Sequence, residues 1–329
     1  MSMALSKWSA VLAVLSGITT LVAGPAAWAQ SDFPSKTIRV IVPFAPGGAT
    51  DIVARLIAER MSKQVNQAVV VENRAGANGN IGADLVAHSA PDGYTVLHNT
   101  SSIAFTASFG QKVGYDLFTD LTPVSLLVTQ PLIFNANPNL GINNVQDLVA
   151  WAKANPGKLS YGSSGIGNIS HLVTFVLLQA AGIDGNHIPY KGGAAAFPYL
   201  MGGQIQILND PINSSMPFLR DKRARAIATT GRSRSSLLPD VQTMSETVAP
   251  GFEAGAWQAT MVQGKTPAAI VARLNAEFVK ALQDTGLREK LAAQGAEVLA
   301  TSPDQYLAYL RSEIERWAKV VKASGAKLE

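Results

Sequence analysis

The chain has 329 residues, of which 47% are hydrophobic and 15% charged, with a formal net charge of +4. That length suffices for two ordinary domains or one large one, and the low charge excludes a disordered chain. With no cysteine, disulfides, thiolate metal sites, cysteine nucleophiles and a lipid-modified cysteine are excluded as well.

The first element is an export signal. Lys7 supplies a positive start, Trp8 to Val22 an apolar run too short and interrupted for a membrane span, and Gly24-Pro25 a break. Ala27-Trp28-Ala29 matches an A-x-A cleavage site, so the expected mature protein is exported, soluble and begins at Gln30.

Ile38 to Asp51, IRVIVPFAPGGATD, organises the mature chain. Its β-branched start reads as a strand covered on both faces. Pro43 and Pro46 end the ladder, Gly47-Gly48 permit a tight turn, and Thr50 or Asp51 is the expected N-cap of a helix running through DIVARLIAERM. Strand, glycine turn and helix N-terminus suit an anion, because free N–H groups and the helix dipole point the same way. The same turn also joins strands to helices without any ligand, and the stretch alone leaves both uses open.

A second strand is expected at Ala68–Glu72, a loop at Gly76–Asn80, a helix at Ile81–Ser89 and a third strand at Tyr94–Leu97 with His98 to Ser102 beyond its end. Strand–helix–strand repetition predicts a parallel sheet, whose ligands bind beyond the carboxyl ends of its strands. Leu121 to Asn137 is a long extended run, read as a strand that leaves one sheet and enters another. Helices are predicted at Asn144–Asn155, from a Ser170 cap to Ala181, at Ala194–Met201, at Ala268–Gln283, at Arg288–Gln294, and at Pro303–Ala323 behind a Ser302 cap. Strands are predicted at Leu159–Gly162, Ile205–Leu208 (with Asn209-Asp210 at its end) and Ala224–Thr230. Tyr306, Leu310, Ile314, Trp317 and Val320 recur at helical spacing, as a core stripe does. With a return strand near Glu253 to Gln263, the pattern predicts two α/β domains joined by two crossovers around a cleft, the geometry of a ligand-trapping hinge.

Catalytic signatures are sparse. His88, His98, His171 and His187 are not spaced as a metal pair, and neither G-x-S-x-G nor a phosphate-binding lysine loop occurs. The cluster Arg220, Lys222, Arg223, Arg225, Arg232, Arg234 is interrupted by Asp221 and followed by a strand pattern, so it reads as a solvated surface with no nucleic-acid partner. The remaining Gly, Ser, Thr and Asn loops offer many donors and few acids or bases, which binds an anion better than it transforms one.

The stretches IRVIVPFAPGGATDIVARLIAERM, VVVENRAGANGNIGADLVAHSAPDGYT, ANPGKLSYGSSGIGNISHL, HIPYKGGAAAF, LMGGQIQI and LAAQGAEVLATSP, in this order, resemble the extracytoplasmic solute receptors of tripartite tricarboxylate transporters, the Bug family. The resemblance spans the mature chain. It implies a type II periplasmic binding-protein fold, a small organic carboxylate as ligand, integral-membrane permease subunits as partners, a soluble monomer in the periplasm, and no enzymatic activity, cofactor or metal. It divides the chain into a signal peptide at 1–29, a discontinuous domain at 30–128 and 259–329, and a second domain at 129–258. By the same resemblance, Phe44, Ala45, Gly47, Gly48, Ala49, Thr50 and Asp51 hold one carboxylate through main-chain N–H groups and bridging waters, with Ser101 and Ser102 beside them. The second domain contributes Ser163, Ser164, the turn carrying Asn168, Ser170 and His171, the helix start Gly193, Ala194 and Ala195 behind Lys191, and Asp210. Arg74 braces the surface of the second loop. Ala45, Ala49, Asn99, Ile166, Phe197 and Asn209 are expected to shape the pocket. Ala45, His98-Asn99 and Gln206 depart from the family pattern, which favours proline, small residues and an acid there. Two other readings are a carboxylate receptor whose closed form a signalling partner reads, and a secreted serine hydrolase using Ser163 or Ser164 with His171; the latter lacks the nucleophile-elbow signature.

Overall fold

A computed structural model describes residues 33–190 and 192–325; the expected signal segment and Lys191 lie outside them. From Pro34 onward the chain is one unit. Strand β1 (Ile38–Val42) leads to α1 (Ala49–Val65), β2 (Val69–Asn73), α2 (Asn80–Ala87), β3 (Thr95–Thr100) and α3 (Ser102–Ser108). β4 (Leu121–Thr129) passes directly into β5 (Leu132–Ala136), and then come α4 (Val145–Ala154), β6 (Ser160–Ser163), α5 (Ile169–Ala181), β7 (Asn186–Pro189), α6 (Gly193–Met201), β8 (Ile207–Pro211), α7 (Ile212–Arg220) and β9 (Arg225–Thr229). β10 (Gln258–Gln263), α8 (Ala268–Gln283), α9 (Thr285–Ala293), β11 (Glu297–Val298) and α10 (Pro303–Ser324) complete the described chain.

The strands form two sheets, ordered β11-β4-β10-β3-β1-β2 and β7-β6-β8-β5-β9. The extended run at Leu121–Asn137 does change sheets, between β4 and β5. Each sheet is mixed. β1 pairs in parallel with β2 and β3, but β10 lies antiparallel between β3 and β4. In the second sheet β6 is parallel to β7 and β8, whereas β5 is antiparallel to β8 and β9.

These directions fix where a ligand can bind. β4 is antiparallel to β10, which is antiparallel to β3, so β4 runs the same way as β1 and β3. The crossover at Gln130-Pro131 therefore leaves the first sheet at the edge where its parallel strands end. β5 runs against β8, with Leu132 opposite Pro211, so the crossover enters the second sheet where β6 and β8 end. The return passes beside it, since Gln130 and Ala256 exchange both backbone hydrogen bonds, at 3.2 and 2.8 Å. The carboxyl ends of both sets of parallel strands thus flank one two-stranded hinge.

The stripe on α10 is core as expected: Tyr306, Leu310 and Trp317 are fully buried. Tyr306 and Leu310 pack with the first sheet, whereas Trp317 joins Phe105 of α3 in the core cluster of the second. Ser302 caps α10 in a complete capping box, accepting from Gln305 N at 3.2 Å while Gln305 Oε1 accepts from Ser302 N at 2.9 Å. Ser302→Ala is expected to cost about 1 kcal/mol, seen as a lower urea midpoint at unchanged slope.

Several local expectations are corrected. α1 begins at Ala49 with Gly48 as N-cap, because extended Gly48 offers its carbonyl to Ile52 N at 3.0 Å; Asp51 stands inside the first turn. Asn168, not Ser170, caps α5, its carboxamide accepting from Ser170 N. β3 runs on through His98-Asn99-Thr100, and β8 starts later and contains Asn209 and Asp210. α3 and α7 carry no separate sequence expectation; α7 is short and holds Pro217 inside it. No helix among the described residues is long and apolar enough to cross a membrane.

Candidate functional site

In the first lobe, three loops meet where β1, β2 and β3 end. The meeting point is Gly79: a Cβ added there would stand 3.2 Å from Ser102 Oγ, 3.5 Å from Phe44 Cζ and 3.6 Å from Pro43 Cβ. Phe44 is held by its carbonyl, which accepts from Asn73 Nδ2 at 3.0 Å. Gly47 N donates to Asp51 Oδ2 at 2.9 Å, Arg55 Nε donates to the same oxygen at 2.9 Å, and Asn73 Nδ2 donates to Oδ1 at 2.9 Å. Burial raises the Asp51 carboxyl, but the bonds from Arg55, Gly47 and Asn73 outweigh it and hold the group below its ordinary value. Asp51 therefore braces the loop as an anion, and the Gly47 N–H is already engaged. Ala49 and Thr50 open α1, where first-turn N–H groups have no partner within the helix. Ala45 and Gly48 complete the turn, with Ala45 O 3.5 Å from an ideal Gly48 Cβ. Ser101 and Ser102 are buried; Ser101 N is tied to Trp257 O at 3.1 Å, and Ser102 Oγ accepts from Thr100 Oγ1 at 3.0 Å.

In the second lobe, the loop after β6 is bound to itself and to two neighbours. Ser163 Oγ contacts Gly165 O at 3.0 Å, Gly165 N at 3.1 Å and His187 Nε2 at 2.6 Å. Ser164 N donates to Ser170 Oγ at 2.9 Å, and Ser164 Oγ donates to Asp210 Oδ1 at 3.2 Å. His171 Nδ1 accepts from Gly167 N at 3.2 Å, which places its proton on Nε2. The His171 and His187 rings stack with centroids 3.8 Å apart and 3° between planes, and Tyr161 lies against His187 at 5.0 Å. Burial lowers His171 to about 4, and burial with the neighbouring His171 lowers His187 to about 3, so both rings are neutral near pH 7.

Asp210 is 2% exposed and lies against the start of α6, where a Cβ on Gly193 would fall 1.9 Å from Asp210 Oδ1. Only a residue without a side chain permits that approach. Ser214 also donates to Asp210, through Oδ2. Burial pushes the carboxyl up to about 6 despite the two hydroxyl donors, Ser214 and Ser164. The two lobes thus each place a buried acid beside a helix start. Among the described residues Asp51 has an arginine, whereas the side-chain donors to Asp210 are the hydroxyls of Ser164 and Ser214; the helix start at Gly193 stands beside that acid.

The structure gathers the expected residues into these two sets and adds Asn73, Thr100, His187 and Ser214. Ser214 follows Asp210 by four positions, the one spacing that could have signalled it. Two expected pocket residues, Asn99 and Phe197, are corrected, and further residues are placed as follows. His98 bonds Gln258 Oε1 at 2.8 Å and Asn99 bonds the Tyr306 hydroxyl at 3.0 Å, so both brace the first sheet. Phe197 is fully buried and stacks on Phe218 at 3.9 Å, inside the core beneath α6. Gln206 accepts from Ser160 N at 2.8 Å and holds the edge of β6. Arg74 pairs with Glu72, as a surface brace does. Asn209 is 1% exposed with both carboxamide atoms unpartnered. Ser163, the serine nearest an imidazole, faces His187 instead of His171. No group of three metal-ligating side chains occurs among the described residues.

Comparison with known proteins agrees with this fold. Residues 53–326 match the model of the tripartite tricarboxylate transporter family receptor. Protein BugT of Bordetella pertussis is 39% identical over 322 residues, covering 97% of this chain and 98% of BugT. A Rhodopseudomonas palustris protein solved with adipate superposes with a TM-score of 0.83 at 34% identity, over 90% of this chain and 99% of that one. MatC from the same organism, with bound malate, gives 0.79 at 33% identity, over 88% of this chain and 100% of MatC. The chain belongs to the Bug family, the solute receptors of tripartite tricarboxylate transporters.

Proposed function

We propose that this protein captures a small organic carboxylate between its two lobes in the periplasm and hands it to the integral-membrane permease subunits of a tripartite tricarboxylate-type transporter. One observation carries the reading: donor-rich loops at the carboxyl ends of both sets of parallel strands flank a single two-stranded hinge. Contacts made by both lobes at once favour the closed state. In this reading the first-turn N–H groups of Ala49 and Thr50, with Ser102, hold one carboxylate, supported by the helix dipole. Ser164 and the Asn168–His171 turn meet the rest of the ligand. Asp51 and Asp210 act behind these groups, orienting the first loop and the Ser164 hydroxyl. The domain boundaries follow as 30–128 with 259–329, and 129–258, and export ends with cleavage after Ala29. The protein acts by binding and release, without turnover.

The test is a thermal-shift screen of the mature protein, refolded free of co-purified ligand, against aliphatic mono-, di- and tricarboxylates, aromatic acids, amino acids and their amides. A ligand that binds only the folded state raises the melting temperature by mass action, by about 2.7 kcal/mol of stability at a hundredfold excess over Kd. Stabilisation by one carboxylate class and not by its amide is the expected result. A panel in which no anion stabilises would defeat the proposal.

A further inference from the structure

The two strands that join the lobes are clamped on either side by a buried polar side chain, with one residue of each strand between the clamps. On the first-lobe side Gln130 is 0% exposed. Its Nε2 donates to Gln294 O at 2.8 Å, and its Oε1 accepts from Gln258 Nε2 at 3.2 Å. Gln258 Oε1 accepts in turn from His98 Nε2 at 2.8 Å, so β3, β10 and the end of α9 all hold the outgoing strand. On the second-lobe side Thr230 is equally buried. Its Oγ1 accepts from Leu132 N at 2.9 Å and donates to Ala254 O at 2.6 Å, which ties the outgoing and returning strands together. Pro131 and Gly255 stand between the clamps and face each other in an isolated bridge. Proline fixes φ and leaves ψ free to turn. The Pro131 carbonyl, beyond that bond, accepts from Ile212 N of the second lobe at 3.1 Å. Gly255 is not among the positive-φ glycines. Close approach is what calls for glycine there, since a Cβ would collide with Thr129 Oγ1 and stand 3.3 Å from Gln130 O.

Behind this pair lies a cavity of about 470 Å³, lined from both lobes by residues that include Thr129, Pro131, Thr230, Gly255, Gly295 and Arg316. Strand order puts it on the far side of the hinge from the binding loops. Those loops follow β1, β3, β6 and β8, whereas the cavity is flanked by β11 and the end of β9. The pair thus has open space behind it. We propose that Pro131 and Gly255 are the pivot of lobe closure, and that Gln130 and Thr230 are positioning residues that confine the rotation to them. The assignment rests on the receptor reading above and adds to it the bonds that turn. Hinges absorb a domain movement at a few loop or element-end residues. Here the clamps keep the neighbouring residues out of the movement, so the free lobes rest over a narrow range of separations. Apparent affinity falls with the fraction of molecules in the binding-competent arrangement, so loosening a clamp weakens binding without touching the ligand.

Lobe separation can be read directly. The chain has no cysteine, so spin labels attach only at Lys63→Cys on α1 and Gln179→Cys on α5, both exposed positions. Two pairs of variants are made in this background. Thr230→Val keeps the shape and deletes both side-chain hydrogen bonds, whereas Thr230→Ser keeps them. Gly255→Ala introduces the colliding Cβ, and Thr129→Ala in the same chain removes the atom it strikes. The probes are malate and adipate, titrated calorimetrically. Thr230→Val and Gly255→Ala are expected to broaden or displace the ligand-free separation and to bind the better probe roughly tenfold more weakly. Thr230→Ser, and Thr129→Ala combined with Gly255→Ala, are expected to restore the wild-type separation and an affinity within about threefold of wild type. The two pairs are independent, so a variant that does not fold leaves the other pair to decide. If Thr230→Val or Gly255→Ala keeps the wild-type separation and affinity, whatever its melting temperature, the assignment falls while the receptor reading stands. If the wild type binds neither probe, the carboxylate reading loses its support, and the ligand-free separations still decide the pivot.

Discussion

Trp317→Ala will destabilise the protein by about 3–5 kcal/mol, the range for deleting a fully buried tryptophan and leaving a cavity. The indole is 0% exposed and packs edge-on against Phe105, with ring centroids 5.0 Å apart. Its Nε1 donates to Glu313 Oε2 at 3.0 Å, and Trp257, immediately before β10, donates to the same oxygen at 3.3 Å. Arg316 reaches the other carboxylate oxygen at 3.2 Å. Glu313 is 5% exposed, so removing one donor leaves a buried anion poorly satisfied. The position also joins the two lobes, because α10 belongs with the first sheet while Trp317 lies in the core of the second. Trp317→Phe should lose less than half as much, since most of the ring contact survives. Urea unfolding followed by circular dichroism measures both. A loss below about 1 kcal/mol for the alanine variant would mean that this junction does not hold the lobes together.

Stability will also fall steeply as pH drops from about 6.5 to about 4. Burial lowers His98 and His171 from 6.5 to about 4 and His187 to about 3. In that window the unfolded chain binds protons that the folded chain refuses, so each ring makes folding less favourable as pH falls. Asp210 works in the opposite sense: its folded value near 6 lies above its unfolded 3.8, so the folded state gains as pH falls through that interval. Three imidazoles against one carboxyl leave a net loss on the order of 4 kcal/mol, allowing for partial solvent screening at the His171–His187 stack. Below about 4, the carboxylates held low, Asp51 and Glu72 among them, add to the loss. Ligand affinity should decline in parallel, because a proton on His171 Nδ1 faces the Gly167 N–H that it now accepts from. Urea midpoints at pH 7.5, 6, 5 and 4.5 check the slope. His187→Gln keeps a polar partner for Ser163 and should flatten it. Equal midpoints from pH 7.5 to 4.5 would refute the neutral-stack account.

The architecture was readable from the chain because its signals are local and redundant. The run IRVIV, the Pro156-Gly157 stop and the α10 stripe each have one periodicity and one terminator, and all lie within a few residues of the elements observed. Boundaries failed where side chain and backbone compete for one cap. Gly48 took the α1 cap that Thr50 or Asp51 should hold, since Asp51 is needed by Gly47, Arg55 and Asn73. The sites were legible as loops but not as contacts. Nothing in the sequence says that Asp210 meets Gly193, that His187 stacks on His171, or that Asn99 turns toward Tyr306. Those pairs lie across the fold, and strand register decides them. A shift of β8 by two residues relative to its expected start is enough to carry Asn209 and Asp210 from a loop into the ladder.

The first sheet also imposes an order on assembly. β10 must lie between β3 and β4, and α10 must seal both cores, so the lobe that the chain begins first cannot be finished until its last quarter has arrived. Strands β1 to β4, made early, have a gap at their centre and no lid until then. Native pairing of this kind joins residues far apart in sequence and is slow to form. Under the export proposed above that delay is useful: while the C-terminal segment is missing, the chain has no completed first lobe to resist threading. The same topology makes truncation from the C-terminus a loss of both lobes at once, not of a terminal helix alone.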